Sequence, residues 1–145
     1  MPNVTRGDRM GGLLSYLAGP GRSNEHTEPH LVTGDEPVMA WHDDAELDRA
    51  TALDVAKYLD KPRTALGVEV AGGSVWHCSL SLRAEEGQLD DGAWADISRD
   101  FVERMGFTET SGKAPCRWVA VRHGLSAAGN DHVHLVVSLV REDGT

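Results

Sequence analysis

The segment RHGLSAAGNDHVHLVVSLV, residues 122–140, decides the fold of this chain. Its second half is an apolar run that predicts a buried β-strand, and His132 and His134 flank a single valine at its start. Side chains alternate between the two faces of a strand, so both imidazoles should point to the same face, about 7 Å apart along the strand. This pair is the first indication of a metal site.

A second strand is predicted directly before this one. Residues 116–122 are rich in β-branched and aromatic side chains, and His123 follows them. The Gly-containing residues 124–131 can fold the chain back into an antiparallel hairpin, which brings His123 beside His132 and His134. We therefore predict that these three imidazoles hold one divalent ion and leave coordination positions open for catalysis.

Length and composition indicate one globular domain, residues 1–145. The hydrophobic fraction of 40% and the charged fraction of 26% are ordinary for such a domain. The sequence contains neither a membrane-spanning apolar run nor the layout of a secretion signal, so we expect a cytoplasmic protein with no membrane segment. The two cysteines, Cys78 and Cys116, are expected to be buried, reduced thiols within strands.

The charge of the chain argues both for and against nucleic acid as a partner. A net charge of −9 and a pI near 5.1 are unusual for a protein that contacts phosphates. However, Arg6, Arg9 and Arg22 give the N-terminal segment a positive bias. A bound divalent ion would also add two positive charges that this count omits.

The order of the predicted elements indicates an α+β domain in which helices pack on an antiparallel β-sheet. In the last predicted helix, Trp94, Ile97, Phe101, Val102 and Met105 are spaced to face the sheet. We predict an opening strand at 1–9, a helix at 10–17, a polar loop at 22–36, an extended piece at 38–41, a helix from Asp43 or Asp44 to Leu59 that exits at Pro62, an extended segment at 66–70, a strand at 74–82, a loop at 83–91, a helix at 94–105 and the two histidine-bearing strands.

Three motifs together resemble those of the relaxases that mobilise plasmids. His123 followed by NDHVHLVV at 130–137 is similar to the metal motif of the HUH (histidine, hydrophobe, histidine) endonucleases. GLLSYLAGPG at 12–21 looks like the N-terminal relaxase motif that carries the nucleophilic tyrosine. WHCSLSL at 76–82 is similar to the strand before the family's middle helix. The resemblance spans most of the chain and implies an HUH-endonuclease-like α+β fold.

The resemblance implies an enzyme, a DNA relaxase that nicks and rejoins single-stranded DNA at the transfer origin of a plasmid or integrative element. Tyr16 would attack the scissile phosphate and form a 5′-phosphotyrosine intermediate, from which the strand can later be rejoined. The three histidines would hold Mg²⁺ or Mn²⁺, although imidazole ligands suit zinc or nickel equally well. Single-stranded origin DNA is the expected partner, and accessory relaxosome or coupling proteins are further candidates.

Other residues have candidate roles in this reading. Tyr58 is the alternative nucleophile, because its Tyr-x-x-Lys spacing is similar to that of replication initiators of the same superfamily. His77 is either a further member of the site or a structural residue. His26, His30 and His42 are expected to be solvated. The candidate DNA contacts are Arg6, Arg9, Arg22 and Arg122, followed by Lys61, Arg63 and Arg117, with Trp41 as a stacking platform for a base.

The sequence departs from the family at one position and leaves several alternatives open. The family often places an acidic residue two positions after its first histidine, where this chain has Leu125. A supporting carboxylate would then come from Asp131, Glu85 or Glu86. The class is usually the N-terminal domain of a longer protein, so these residues are expected to be its core. A replication initiator or transposase of the same superfamily, a non-catalytic DNA-binding accessory module and a metal-dependent hydrolase of small molecules are the alternative functions.

Overall fold

A computed structural model describes residues 2–18, 30–41, 49–82, 89–125 and 131–144 of the chain. The side chains of residues 2, 3, 40, 41, 49, 110, 123 and 125 lie outside that description. The elements are β1 (Pro2–Gly7), α1 (Met10–Ala18), β2 (His30–Gly34), α2 (Glu36–Trp41), α3 (Arg49–Leu66), β3 (Val75–Ser81), α4 (Asp91–Arg104), a 3₁₀ turn (Glu109–Ser111), β4 (Trp118–Leu125) and β5 (Asp131–Ser138).

The strands form one antiparallel sheet in the order β1-β3-β5-β4-β2. The predicted hairpin is confirmed, because β4 pairs with β5 and sets Val121 opposite His134. Strand β5, with six of its eight residues buried, lies at the centre of the sheet, where both of its faces are covered. An α+β fold with helices packed on an antiparallel sheet is therefore what the chain adopts.

Each face of the sheet has its own apolar core. On one face, α1 and α3 pack together and bury their Leu14 and Leu59 with Val121 and Val136 of the sheet. On the other face, α4 buries Trp94 and Val102 with the alternate strand residues, such as Leu135. This alternation decides which strand side chains face α1 and α3 and which face α4.

Helix α4 begins where the sequence provides a cap for it. The Asp90 side chain accepts a hydrogen bond from the Ala93 backbone N–H, which satisfies one of the unpaired amides of the first turn. Trp94 and Val102 are buried as predicted. The prediction was wrong for Ile97 and Met105, which are 39% and 47% exposed, because the helix covers the sheet with a narrower stripe than their spacing suggested.

The first half of the chain contains the other wrong predictions. Residues 30–34, expected within a polar loop, form the edge strand β2, because they pair with β4. Residues 38–41, expected to be extended, belong to α2, since the Asp35 carboxylate accepts the Val38 N–H at 3.0 Å and caps that helix.

The predicted end of the next helix was also wrong. Pro62 lies inside α3, and residues 66–70 form no strand. The helix ends at Leu66, and the φ of +63° at the following Gly67 permits a C-terminal cap in which the Val68 N–H donates to the Arg63 carbonyl at 3.1 Å. Cys116, expected within a strand, is buried just before β4. The predicted cap at Asp43 or Asp44 lies outside the described residues.

Candidate metal centre

His132 and His134 lie on the sheet face that α1 and α3 cover. Val133 and Leu135, which alternate with them along β5, belong to the core under α4. Val136, two residues after His134, belongs to the core under α1 and α3, so the histidines face that side. Both side chains are half-buried, and their ring centroids are 5.1 Å apart with planes at 82°. The two imidazoles are therefore close neighbours on one face, as their spacing predicts.

His77 of the adjacent strand β3 joins this pair. Its Nε2 lies 2.7 Å from Nδ1 of His134, and the two rings stack with centroids 5.0 Å apart. On the other side of the ring, Nδ1 of His77 lies 3.4 Å from the Thr5 hydroxyl of β1. Burial lowers the pKa of His77, which favours the neutral imidazole. Strand parity places His77 on this face, but only the pairing of β3 with β5 shows that it contacts His134.

The third predicted ligand, His123, lies in β4, and its side chain is outside the described residues. Among the side chains that the structure does describe, no group of three His, Cys, Asp or Glu residues is arranged to hold a metal ion. His132 and His134 still fit a divalent transition ion, because neutral imidazole nitrogens are suitable donors and the two rings are neighbours on one face. The triad of His123, His132 and His134 remains a prediction.

Asp131 does not face these rings, although it directly precedes His132. It is fully buried on the α4 side, where one of its oxygens accepts the Trp94 indole N–H at 2.9 Å and the Leu89 backbone N–H at 2.8 Å. The Arg122 guanidinium donates to both of its oxygens at 3.1–3.2 Å. These contacts make Asp131 a structural carboxylate of the opposite face. The other two candidate carboxylates, Glu85 and Glu86, lie outside the described residues.

The first turns of α1 border the histidine face. A cavity of about 280 Å³ is lined by Leu13 of α1 together with Thr5 and His77. Tyr16 follows Leu13 by three residues, and residues at that spacing are neighbours on a helix surface. The Tyr16 side chain is 42% exposed, whereas Leu14 and Leu17 of the same helix are fully buried. Tyr16 is thus an accessible phenol about one helical turn from a residue that shares a cavity with His77.

Tyr58 occupies a different part of the domain. Its hydroxyl donates to the Asp35 carboxylate at 2.7 Å, and the other oxygen of Asp35 accepts the Trp118 N–H at 3.0 Å. Trp118 begins β4, whereas His134 pairs with Val121 three residues later, about 10 Å farther along the strand. Burial and the hydrogen bond to Asp35 both raise the pKa of Tyr58 well above its ordinary value. This phenol is poorly placed and poorly activated for attack on a phosphate at the histidines.

The predicted DNA-binding arginines differ in what they contact. Arg6 donates to the Ala71 and Gly73 carbonyls, with its shortest bond at 2.6 Å. Arg9 is exposed at the entrance of α1, beside the cavity that His77 lines. Arg122 is 14% exposed and pairs with Asp131 and with Asp91, on the α4 side. Of the remaining candidates, Lys61 is exposed, Arg63 pairs with Asp60 and Arg117 pairs with Glu142, while Arg22 and the Trp41 side chain lie outside the described residues.

The sequence did not predict the contact of His30, which was expected to be solvated. His30 begins β2 opposite Arg122, and its Nε2 lies 2.9 Å from the Asp91 carboxylate. Burial acts to raise the pKa of Asp91, but the hydrogen bonds from Arg122 and His30 hold it below its ordinary value. A histidine and two carboxylates therefore surround Arg122 on the face away from His134. His26 and His42 lie outside the described residues.

A larger cavity, of about 630 Å³, lies on the α4 side of the sheet between α4 and the start of α2. Its wall includes Phe107 and Trp118, and the exposed Glu36, Glu103 and Glu109 contribute carboxylates. With Asp35, these acidic side chains outnumber the one guanidinium of the lining, that of Arg99, so this cavity is a poor site for DNA in spite of its size. The smaller histidine face is the better candidate for phosphate chemistry.

Comparison with known proteins identifies the family of this chain. The family model of the MobA/VirD2-like relaxases, nuclease domain, matches residues 46–145, which include β3, β4, β5 and all three predicted metal ligands. No curated protein and no solved structure matches the chain significantly. None of the helices within the described ranges is long and apolar enough to cross a membrane. The chain belongs to the MobA/VirD2-like relaxases, through their nuclease domain.

Proposed function

We propose that this domain is a metal-dependent, strand-specific DNA nickase and strand transferase that acts on single-stranded DNA at a transfer origin. Membership of the relaxase family already implies a nuclease that binds DNA. The finer proposal rests mainly on one observation, the cluster of His77, His132 and His134 on the sheet face that borders α1. Among the alternatives, the family match favours a relaxase over a replication initiator or a transposase.

The proposed chemistry is a transesterification that starts from Tyr16. The phenol loses its proton as its oxygen attacks the scissile phosphorus, the bond from phosphorus to the 3′-oxygen breaks, and the departing 3′-oxygen takes up a proton, so that no net proton is gained or lost. The 5′-phosphate remains bound to Tyr16 as an ester, so the strand can be rejoined by attack of a 3′-hydroxyl. A divalent ion held by His123, His132 and His134, Mg²⁺ or Mn²⁺ by resemblance, would stabilise negative charge on the phosphate oxygens.

The assignment of Tyr16 is supported by its exposure and by its position on α1. An attacking group must be accessible to the strand, and 42% of this side chain is exposed. The family match begins at residue 46, so this assignment depends on the GLLSYLAGPG motif and on the neighbourhood of Leu13 and His77. The competing Tyr58 is committed to a hydrogen bond with Asp35.

We expect Arg9 to contribute more to DNA binding than Arg6 or Arg122. Arg9 is exposed beside the histidine face, while the other two guanidinium groups are held by carbonyls or carboxylates. In Arg9→Ala, the slope of log DNA affinity against log salt concentration should become shallower by about 1.

In Arg122→Ala, we expect the main loss to be in the stability of the folded protein, because the buried Asp131 is left without its cation.

A cleavage assay on single-stranded origin DNA tests the proposal. The protein is incubated with the oligonucleotide and Mn²⁺, and the products are analysed by gel and by mass spectrometry of tryptic peptides. We expect a nucleotide adduct on the peptide that contains Tyr16. Tyr16→Phe should lose cleavage while its affinity for the oligonucleotide changes less than about threefold, because only one oxygen atom is removed.

Tyr58→Phe is the matched control, since it removes the same atom from the chain's other tyrosine. This variant should cleave at the wild-type rate, although loss of the hydrogen bond to Asp35 should cost it about 1 kcal/mol of stability. Full cleavage by Tyr16→Phe, or an adduct on Tyr58, would rule out the assignment. Specific DNA binding with no metal-dependent cleavage would favour the accessory-module alternative.

A further inference from the structure

We propose that His77 is a positioning residue that sets the tautomer and the orientation of the metal ligand His134. This inference rests on the proposed function, because it gives His134 the role of a ligand. The observation that carries it is the 2.7 Å distance between Nε2 of His77 and Nδ1 of His134. At that distance two imidazole nitrogens share one proton, so one ring must donate and the other must accept.

The direction of this hydrogen bond follows from the chemistry of ligation. His134 is already in contact with His77 through Nδ1, so Nε2 is the nitrogen with which it would bind an ion. A ligating nitrogen carries no proton, and the other ring nitrogen then carries one. Nδ1 of His134 is therefore the donor and Nε2 of His77 the acceptor.

The same reasoning assigns the proton of the second ring. When Nε2 of neutral His77 accepts, its Nδ1 carries the proton and points towards the Thr5 hydroxyl at 3.4 Å. Thr5 lies directly opposite His77 in the pairing of β1 with β3. His77 of β3 in turn makes its hydrogen bond with His134 of the neighbouring strand β5. A chain of hydrogen bonds thus runs from His134 through His77 to Thr5 across three adjacent strands.

Within the described part of the chain, this imidazole takes the place that a carboxylate often has beside a ligating histidine. Asp131, the nearest carboxylate in sequence, is used on the other face by Trp94 and Arg122. A neutral acceptor orients the ligand without adding negative charge beside the ion. The site therefore keeps a larger net positive charge and attracts phosphate more strongly than it would with a carboxylate beside the ion. This attraction matters in a protein whose net charge is −9.

Metal affinity is the direct test, and it requires no cleavage. Binding of Mn²⁺ to the full chain is measured by calorimetry for the wild type and for His77→Phe, which keeps an aromatic ring but removes the acceptor nitrogen. We expect the affinity to fall by about 10- to 100-fold. His77→Asn, which restores an acceptor oxygen, should recover part of that loss. If circular dichroism shows that His77→Phe is unfolded, His77→Leu, which also lacks the acceptor nitrogen, replaces it in the test.

His30→Gln is the control for removal of a half-exposed histidine. His30 lies on the edge strand β2 and contacts Asp91, on the face away from the metal ligands. Its replacement should leave the Mn²⁺ affinity within about twofold of the wild type, since it touches neither ring of the pair. An equal loss of affinity in this control would mean that the effect is general, and the proposal would fail.

Nitrogen-15 NMR of the imidazole rings, recorded with Zn²⁺ as a diamagnetic probe, reads the tautomers directly. We expect His134 to be protonated at Nδ1 and ligated at Nε2, and His77 to be protonated at Nδ1 and unligated. Ligation through His77 itself, or an unchanged Mn²⁺ affinity in folded His77→Phe, would overturn this inference alone. Absence of Mn²⁺ binding by the wild type would contradict both this inference and the proposed metal-dependent function. Cleavage by Tyr16→Phe would instead contradict the nucleophile and leave the role of His77 standing.

Discussion

Single residues in this domain take their roles from the sheet face on which they lie. Asp131 and His132 are neighbours in sequence, yet Asp131 accepts bonds from Trp94 and Arg122 under α4, while His132 lies beside His134 under α1 and α3. The carboxylate therefore stabilises the start of β5 on the face that α4 covers, and the imidazoles lie on the face that α1 and α3 cover. A substitution at either position should affect a different property of the protein.

Replacement of Asp131 tests the structural side of this division. Asp131→Ala leaves the buried Trp94 indole N–H and the Leu89 N–H without their acceptor, and it leaves the poorly exposed Arg122 with Asp91 alone. We expect the free energy of unfolding to fall by about 3–5 kcal/mol in urea denaturation. Asp96→Ala, which breaks a pair whose carboxylate is 79% exposed, should change it by less than about 1 kcal/mol. Similar values for the two variants would contradict the role of Asp131.

Asp35 should give the stability of the domain an identifiable pH dependence. Burial raises the pKa of Asp35 above 3.8, although hydrogen bonds from Tyr58, Val38 and Trp118 act in the opposite direction. The folded state then holds this proton more tightly than the unfolded state. The contribution of Asp35 to stability is therefore complete below the unfolded pKa and is lost as pH rises through the folded pKa.

Carbon-13 NMR of the Asp35 carboxyl group measures this shift, and urea denaturation from about pH 3 to about pH 7 measures its consequence. The decline in stability that is due to Asp35 should be missing in Asp35→Asn, because the amide does not titrate. A carboxyl midpoint below 3.8 would show that the hydrogen bonds outweigh burial, and the sign of the pH dependence would then reverse.

Among the elements, β1 and β3 approach each other closely at Gly73, near the candidate site. Gly73 precedes β3 with φ at +99°, and a Cβ built on it would lie 2.1 Å from the Gly7 carbonyl oxygen. Gly7 ends β1 and leads into α1, the helix that carries Tyr16. The absence of a side chain at Gly73 therefore decides how closely β1 approaches β3, and so where α1 begins.

Gly73→Ala should destabilise the protein for two reasons. The positive φ costs about 1–2 kcal/mol for a residue with a Cβ, and the displacement of β1 should cost about 1–3 kcal/mol more. Gly67→Ala is the matched control, because Gly67 has φ at +63° but nothing within 4 Å of its Cβ. Urea denaturation should show the larger loss for Gly73→Ala, and equal losses would mean that β1 is not displaced.

At the scale of the whole molecule, a bound ion should act as a clamp on the centre of the sheet. The predicted ligands belong to β4 and β5, which hydrogen-bond to each other in the middle of the five strands. An ion that binds only the folded state stabilises all of it, because the strands do not hold this geometry when unfolded. Metal binding and global stability should therefore change together.

Differential scanning calorimetry with Mn²⁺ measures that link. At a concentration of 100 times Kd, the ion should add about 2.7 kcal/mol to the free energy of unfolding, which corresponds to a rise in Tm of about 5–10 °C for a chain of this size. His132→Ala and His134→Ala should lose the rise, and a chelator should reverse it in the wild type. A rise of equal size in both variants would place the bound ion elsewhere in the protein.

The local sequence pattern was sufficient to predict the structure of part of this domain. The alternation around His132 and His134, the apolar run that follows them and the turn before them predicted an antiparallel hairpin with both imidazoles on one face, and the structure confirms that pairing. Helix α4 was predicted for the same reason, from the local spacing of Trp94, Phe101 and Val102, although its start at Asp91 and its Asp90 cap were not predicted. Such features depend on neighbours in sequence, and a sequence displays those directly.

The tertiary structure alone decided which distant residues meet. His77 is 57 residues from His134, and Tyr58 is 23 residues from Asp35, yet each pair is in hydrogen-bonding contact. The pairing order of the strands and the packing of the helices bring them together. Neither can be predicted from the hydrophobic periodicity of a single segment. The sequence by itself thus determined that His132 and His134 are neighbours and, through the alternation of side chains along a strand, that Asp131 faces the other way. The contact of His134 with His77, and those of Asp131 with Trp94 and Arg122, depended on the tertiary structure, because only long-range packing decides which residues lie against each side chain.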